Sequence, residues 1–561
     1  MKKIPMLWIL GRIRRRIPAL ALMTAAQVGQ ALLSVFFALG TRGVIDSAVA
    51  GDRDLFFHAC LIQACIIAGM LICGTLLRHL RDRLSMDLER DWKRTLLHGL
   101  LHGEYAAVSR YHSGELLNRL NNDVSRINNG ILSILPGVAS MVTRLVAAVV
   151  VLGTLDARFT LVIALLGVLM VLVTGFMRRR LKALNKLVSA HDGKVSGFLQ
   201  ESMEKLLMVQ TMDVSAEVER RADMLMEDRY AIQRKRKNIS LLSNTCINVT
   251  YLSGGFAALA WGAWQMLHGR LSFGSLTAVT QLVSQIQAPF MNLSGIIPQY
   301  IAMIASAERL MELEQIQGEP APMEEDPHSL YRRMDTIRAE GLSFAYDRDR
   351  ILTEAEFDLP KGTFAVITGP SGVGKSTILK LLLGVYQPSQ GGLRADCGGE
   401  QMILDRRTRR LFAYVPQGNL LLSGSLRENL TIIKPDATEE EIQRAIYVSA
   451  MDDFLPQLPQ GLDTVLGESG AGLSEGQAQR LSIARAVLGG APILLLDECT
   501  SALDAVTEET VLRRIRELPD KTCIAVTHRP AATTLADWQL MVQDEKILCR
   551  PLSEQPDGKI K

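Results

Sequence analysis

Two stretches of the chain combine residue types and spacings that could do phosphate chemistry. The first, Gly369-Pro-Ser371-Gly372-Val373-Gly374-Lys375-Ser376-Thr377, follows the apolar run Phe364-Ala-Val-Ile-Thr368 and opens a helical run from Ile378 to Leu383. Its glycines let backbone N–H groups converge on phosphate oxygens, and the N-terminus of the following helix favours an anion. Lys375 can reach β- and γ-phosphates, and the Ser376 hydroxyl can ligate Mg²⁺. The strand–loop–helix setting separates this from a chance glycine-rich turn. The second stretch, Ile493-Leu-Leu-Leu-Asp497-Glu498, is a hydrophobic strand ending in two carboxylates. A strand end of this kind sets Asp497 at the ligand-binding edge of a sheet, where it can hold Mg²⁺. Glu498 beside it is suited to orient or deprotonate an attacking water. Together the two imply binding and hydrolysis of a nucleoside triphosphate.

The elements that must position these groups follow from the surrounding pattern. Short β-rich runs and amphipathic helices over 336–550 read as an α/β domain, with Phe364–Thr368 and Ile493–Leu496 as buried parallel strands. Residues 551–561 are a tail. A solvated linker, 315–335, precedes the domain and contains Gly318-Glu-Pro-Ala-Pro-Met-Glu-Glu-Asp-Pro327.

Residues 1–314 have a different character. Hydrophobic residues make up 48% of the chain and charged ones 22%, a mixture that fits one lipid-soluble part joined to one water-soluble part. Six apolar stretches, near 17–48, 55–77, 131–154, 159–177, 239–267 and 271–304, are long enough to cross a hydrocarbon core of about 30 Å, which takes roughly twenty helical residues. Arg12, Arg14, Arg15 and Arg16 precede the first stretch, Arg78 to Arg94 follow the second, Arg178 to Lys186 follow the fourth, and Arg234 to Lys237 precede the fifth. The short intervening loops hold only Arg53, Arg158 and Arg270. The positive-inside rule then puts both termini, both long loops and the α/β domain in the cytoplasm, with the spans in the plasma membrane. A net charge of +3 is too small to argue for a nucleic-acid partner. The eight cysteines form no metal-like cluster and are expected to stay reduced.

The residues of the α/β part resemble the ATP-binding cassette proteins. Leu473-Ser474-Glu475-Gly476-Gln477 resembles the family's signature sequence, Tyr414-Val-Pro-Gln417 its Q-loop, Ser501-Ala-Leu-Asp504 its D-loop, Thr527-His528-Arg529 its switch histidine, and Phe344-Ala-Tyr346 its aromatic loop. The resemblance implies ATP with Mg²⁺ and a role for each residue. Tyr346 would stack on adenine. Gln417 would sense Mg²⁺ and the attacking water, and His528 would contact the γ-phosphate. Ser474 and Gly476 would act on ATP held by a second copy, and Gln477 and Asp504 would help to bind nucleotide. The membrane part is similar to exporters of that family, in Tyr111-His-Ser-Gly-Glu115 through Asp123, in Leu271-Ser-Phe-Gly through Pro289, and in Ala307-Glu308-Arg309-Leu310. Gly467-Glu468-Ser469 is similar to the exporter-specific loop, with Ser where Arg is usual. The implied fold is an exporter-type helical membrane domain of six spans followed by an α/β P-loop nucleotide-binding domain with an inserted helical subdomain.

The implied partner is a second copy of the chain, with a related half-transporter as the alternative. Glu475 stands where the signature usually has Gly, a departure found in paired exporters with one weakened site, although Ser474 and Gly476 are retained. Cys499 replaces a common Ala and is expected only to pack. Short segments near Tyr105–Ser113 and Glu204–Asp213, at the turning points of the two long loops, would be polar helices docked on the motors. A soluble cassette ATPase is excluded by the spans, and a separate-permease importer by their fusion to the motor. A lipid flippase or exporter-fold importer shares all of this machinery. No Cys/His peptidase-like segment precedes the spans, so leader cleavage by this chain is not expected. The cargo is open, whether peptide, lipid or amphipathic drug. Gln27, Gln30, Arg144, Asn244, Asn248, Gln281, Gln285 and Asn292 are polar positions within spans. Arg144 either faces a wet cavity, favouring an anionic cargo, or snorkels to headgroups.

Overall fold

Apolar runs of the length found before residue 314 fold as helices, because a segment in hydrocarbon must satisfy its backbone polar groups within itself. The structure is a computed structural model that describes residues 4–155, 157–346, 349–418, 420–467 and 472–552, without the side chains of 155, 164, 166, 168–174, 176–179, 182 and 291–294. Glu468, Ser469, the residues beyond 552 and the side chains of Asn292, Arg178, Arg179 and Lys182 therefore lie outside the described residues. The chain divides into two compact units, Met1–Leu101 with His112–Gln315, and His102–Tyr111 with Ile316–Lys561.

The first unit consists of α1 (Pro5–Arg12), α2 (Ile17–Ala50), α3 (Arg53–Leu101), α5 (Ser113–Asn118), α6 (Val124–Leu155), α7 (Ala157–Glu204), α8 (Leu206–Thr211), α9 (Ser215–Leu267) and α10 (Phe273–Glu314). The short α4 (Tyr105–Val108) belongs to the second unit. Among the described residues, the helical runs 14–50, 53–101, 113–154 and 273–314 are long and apolar enough to cross a membrane. The stretches read as the fourth and fifth spans lie within α7 and α9. On α10, Val279, Leu282, Val283 and Ile286 recur at i, i+3, i+4 and i+7 and pack with Val35 and Ala38 of α2, Ala148 and Leu152 of α6 and Ala258 of α9. At the start of α10 a side chain has no room. A Cβ on Gly274 would sit 2.5 Å from the Arg42 carbonyl oxygen, while the Gly274 N–H and the Ser272 hydroxyl donate to Asp46 at 2.9 Å each.

The polar positions within the spans separate into kinds. Gln285 donates to the Ser34 carbonyl at 2.8 Å and simply joins α10 to α2. Gln27 and Gln30 line a cavity of about 420 Å³ with Arg78 and Arg81. Asn244 and Asn248 are exposed, and Gln281 is half-buried. Arg144 is half-buried in α6, with no hydrogen-bond partner for its Nε among the described residues. The segment near Glu204–Asp213, read as polar, forms the short α8, yet exposes Leu206, Leu207, Met208 and Met212.

The second unit is built on two sheets. The antiparallel one runs in the order β2 (Asp349–Pro360), β1 (Met334–Tyr346), β4 (Gln390–Cys397), β5 (Glu400–Ile403). The six-stranded one runs β12 (Lys546–Pro551), β11 (Trp538–Gln543), β3 (Phe364–Thr368), β10 (Thr522–Val526), β9 (Ile493–Asp497), β6 (Phe412–Val415), all parallel except β12. Its central strands are apolar at all but their end positions because both faces are covered. Ala365, Ile367, Ile493, Leu495, Ile524 and Val526 point into one core, shared with α12 (Lys375–Leu382) and the antiparallel sheet. The alternate residues Phe364, Val366, Leu494, Leu496, Cys523 and Ala525 point into a second core with α16 (Ala505–Arg516). A separate cluster joins α13 (Leu426–Thr431), α14 (Glu439–Val448) and α15 (Glu475–Leu488) as a helical subdomain. The remaining elements are α11 (Pro327–Arg333), the small β7 (Gly424–Ser425) and β8 (Val465–Leu466) pair, and α17 (Pro530–Leu535).

One buried charge ties α6 to α10 outside the apolar stretches. Residues Arg119–Asp123 widen into a π turn that buries both end residues. Asp123 is fully buried and accepts from Arg309 Nε at 2.8 Å and Ser306 Oγ at 2.9 Å. Arg119 in turn donates to the Arg309 carbonyl at 2.6 Å and to Glu115 at 2.8 Å. Burial pushes the Asp123 carboxyl up, but the hydrogen bonds and charge of Arg309, with Ser306, outweigh it and hold the group below its ordinary value. The stabilisation is therefore full above the ordinary carboxylate range and is lost as pH falls through the depressed folded value. Asp123→Asn should lower stability by about 2–3 kcal/mol, less than for a fully buried pair because Arg309 reaches solvent. Thermal unfolding of the purified chain checks this. Equal melting of parent and variant at neutral pH would show that the pair contributes nothing.

Candidate nucleotide site

Parallel register brings the functional residues together. Val526 of β10 pairs with Ile367 of β3 on one side and Asp497 of β9 on the other, and Val415 of β6 pairs with Leu496. The four strands thus end level, and each loop leaving that edge delivers one group: the Gly369 loop, His528, Glu498 and Gln417. This is where an open α/β sheet takes its ligand.

The loop after β3 is held open by glycine. Gly374 caps α12 at φ 101°, and a Cβ there would lie 2.1 Å from Ile351 Cγ2. Gly369 and Gly372 also have positive φ. Lys375 is buried, and its Nζ donates across the loop to the carbonyls of Gly369 (3.1 Å) and Pro370 (2.9 Å). Ser371 and Val373 complete the loop, and Thr377 is buried behind it. Ser376 Oγ donates to Asp497 Oδ1 at 2.7 Å, so the two stretches singled out in the sequence meet directly. Asp497 is buried and accepts a second bond, 2.9 Å, from the Tyr414 hydroxyl. Burial and the adjacent carboxylate push the Tyr414 phenol far above its ordinary value, which keeps it a proton donor.

Glu498 is bracketed. Gln417 Nε2 donates to its Oε2 at 2.9 Å, and His528 Nε2 lies 3.5 Å from its Oε1. Its backbone sits at φ 49°, a left-handed conformation that a side chain adopts at some cost. Strain at this carboxylate is maintained by the Glu498 N–H bond to the Val526 carbonyl, 3.0 Å. Next to it Cys499 is buried, its thiol pushed up to about 12 by burial, so it packs as a small apolar group.

Tyr346 is half-buried with its hydroxyl 3.4 Å from Thr377 Oγ1. Its ring meets Phe344 and Tyr386 edge-on, with centroids 4.8 and 5.1 Å away. Tyr386 meets Tyr105 of α4 at 6.2 Å. The 102–111 segment is fixed in the second unit by Glu104, whose carboxylate pairs with the buried Arg406 and whose N–H bonds the Gln317 carbonyl at 2.9 Å.

The signature turn stands apart. Ser474 caps α15, its hydroxyl accepting from Gln477 N–H at 3.3 Å, while the Ser474 N–H donates to Gln477 Oε1 at 2.9 Å. A Cβ on Gly476 would lie 2.9 Å from the Ala502 carbonyl. Asp504 caps α16 through Thr507 N at 3.0 Å, and that backbone bond holds its carboxyl below the ordinary value. Among the described residues, no hydrogen bond joins Ser474, Gly476, Gln477 or Asp504 to the phosphate loop. Two positioning contacts come from residues that the motifs include without giving them this role. Tyr414 fixes Asp497, as above. Arg529 bonds the Leu503 carbonyl at 2.6 Å and the buried Glu508 at 3.0 Å, and Glu508 accepts from Thr500 at 2.8 Å. That network ties the turn before α16 to the residue beside His528. Glu508 was not legible as functional, because one helical glutamate carries no spacing signal.

Known proteins bear on this geometry. The ABC transporter transmembrane region matches residues 20–290, and the ABC transporter family matches residues 352–501. A multidrug efflux ATP-binding/permease protein of Mycobacterium bovis is 29% identical over 96% of this chain, and the chain spans about half, 45%, of that relative's length. An ATP-dependent lipid A-core flippase of Desulfotalea psychrophila is 26% identical over 89% of this chain and 87% of its own. The solved structure of a bacterial Atm1-family ABC exporter with ATP bound superposes with a TM-score of 0.78, at 24% identity, covering 95% of this chain and 94% of that one, which establishes a shared fold. With the family's membrane region and its cassette joined in a single polypeptide, the chain belongs to the ABC transporters.

Proposed function

We propose that the chain is one half of an ATP-driven exporter in the plasma membrane, working by alternating access as a dimer. One observation carries the reading: Lys375, Ser376, Asp497, Gln417, Glu498 and His528 converge on one sheet edge, in a chain whose other unit has helices long and apolar enough to cross a membrane. Inside-positive loops support a cytoplasmic motor and six spans.

The donor set fits Mg²⁺. The Ser376 hydroxyl, the Asp497 carboxylate and the Gln417 amide oxygen, whose nitrogen is occupied by Glu498, are the oxygen ligands that a hard cation takes. Bound Mg²⁺ neutralises charge on the β- and γ-phosphates. Lys375 leaves its parking carbonyls for those phosphates, the loop N–H groups cradle them, and Tyr346 stacks on adenine. Glu498 takes the proton of the attacking water, with Gln417 and His528 fixing each of its oxygens. Ser474, Gly476, Gln477 and Asp504, which stand away from the phosphate loop of their own chain, complete the site of a second chain. We favour two identical chains, because Ser474 and Gly476 keep the cap and the close approach despite Glu475.

Coupling runs through the 102–111 segment, which is covalently continuous with α3 and α5. The rings of Tyr346, Tyr386 and Tyr105 connect the adenine platform to that segment. Leu206, Leu207 and Met208 of α8, with Met212 just after it, form an exposed apolar face at the turning point of the second long loop. The cargo is open among a peptide, a lipid and an amphipathic drug. Arg144 in a wet cavity would favour an anionic one.

Glu498→Gln should preserve ATP binding and cut turnover by about 10²–10⁴-fold, whereas Lys375→Ala should weaken ATP binding itself. Steady-state hydrolysis and nucleotide-binding titrations separate the two, and near-normal turnover by the glutamine variant would refute the assigned base. Tyr105→Ala should leave basal hydrolysis while abolishing its response to cargo in liposomes; an undiminished response would remove the aromatic route.

A further inference from the structure

Two neighbouring cavities in the first unit have opposite chemistry and share a wall. One, of about 520 Å³, lies between residues 11–16 and α3 and is lined by Arg12, Arg14, Arg15, Arg16 and Arg94, with Asp91 as its carboxylate. Arg12 pairs with Glu314, and Arg16 with Asp87 and Asp91. Arg14, Arg15 and Arg94 have no carboxylate partner among the described residues. The cavity therefore holds a surplus of positive charge. The other, of about 350 Å³, is lined by apolar residues that include Leu10, Leu20, Ile131, Leu135 and Met303. Ile13, itself buried, lines both.

The position of α1 says what solvent these cavities face. Ile4, Leu7 and Leu10 recur every third residue and are 60%, 63% and 38% exposed, immediately ahead of the first apolar stretch. An unpartnered apolar stripe on a short helix, followed by arginines and then a span, lies in the plane of the membrane interface with its apolar face toward acyl chains. The arginines are then at headgroup depth, and by their sign on the cytoplasmic side. A basic pocket at that depth recognises lipid phosphate, and an adjoining apolar cavity takes a hydrocarbon tail.

We propose that the first unit binds an anionic phospholipid, its phosphate among Arg14, Arg15 and Arg94 and an acyl chain in the apolar cavity beyond Ile13. The site is separate from the nucleotide edge and from the polar cavity around Gln27 and Gln30. It goes beyond the transport reading, depending only on the chain's residence in a membrane, and its test does not use hydrolysis.

The experiment titrates the purified full-length chain, in discs of phosphatidylcholine, with dioleoyl-phosphatidylglycerol. Bound lipid is counted by native mass spectrometry and followed by tryptophan fluorescence, since Trp92 lines the arginine cavity and its ring lies 5.1 Å from that of Trp8. Phosphatidylglycerol should be retained, while dioleoylglycerol, which lacks the phosphate, and glycerol 3-phosphate, which lacks the chains, should neither bind nor compete. Arg14→Gln with Arg94→Gln should weaken retention about 25-fold, at roughly fivefold per arginine, and Arg14→Lys with Arg94→Lys should keep most of it. Leu135→Trp, which fills the apolar cavity without touching charge, should also displace the lipid. Thermal unfolding confirms that each variant is folded. Parent-like retention by the folded double-glutamine variant would overturn the proposal. Equal competition by glycerol 3-phosphate would overturn it too, by showing a simple phosphate site.

Discussion

The register of four parallel strands is the constraint on which the motor depends. Side chains alternate across a strand, so a slip of one residue in β3, β10, β9 or β6 would move every buried side chain of that strand from one core to the other. Ile367, Val526 and Asp497 stand side by side because Ile493, Leu495, Ile524 and their neighbours fill one core while Leu494, Leu496 and Ala525 fill the other. Packing in two cores thus sets the level at which the chain leaves the sheet. The hydrogen bond from Ser376 to Asp497, and the bracketing of Glu498 by Gln417 and His528, are consequences of that level. Stability and chemistry are joined here: the left-handed backbone at Glu498 is held by a bond to the neighbouring strand.

What could be read in the sequence was whatever demands a residue type for a backbone or electrostatic reason. Gly374 has no substitute at its φ and distance from Ile351, and a carboxylate pair closing an all-apolar strand has few other uses. Long apolar runs likewise have one structural outcome, and they became long helices. The contacts that escaped are tertiary. Tyr414 opens the Q-loop resemblance, but nothing in that pattern puts its hydroxyl on Asp497, and Glu508 is an ordinary helical glutamate until Arg529 and Thr500 close on it. The membership of 102–111 in the second unit rests on Glu104 with Arg406, residues with no local relation in the sequence. The segment near residue 208 read as polar from Glu204, Lys205 and Asp213 at its ends, while its exposed face is leucine and methionine.

The two units put charge to different uses. At the sheet edge of the motor, Asp497 and Glu498 accept from hydroxyl and amide donors that orient them, as a site for a phosphate-bound cation requires. In the helical unit, Asp123 is paired with Arg309, while Arg14, Arg15 and Arg94 gather as a surplus next to apolar surface. Pairing holds helices together, and surplus recruits an anion from outside the chain.

In the proposed dimer each chain holds half of an ATP site whose other half lies on a second chain. Co-expression of a Lys375→Ala chain with a Ser474→Arg chain, followed by isolation of mixed dimers through two affinity tags, tests it most directly. Sites shared across the pair leave one intact combination, the phosphate loop of the Ser474→Arg chain with the signature turn of the Lys375→Ala chain. ATP hydrolysis then returns in the mixed dimer although each variant alone is inactive. Mixed dimers as inactive as either parent variant would contradict the account.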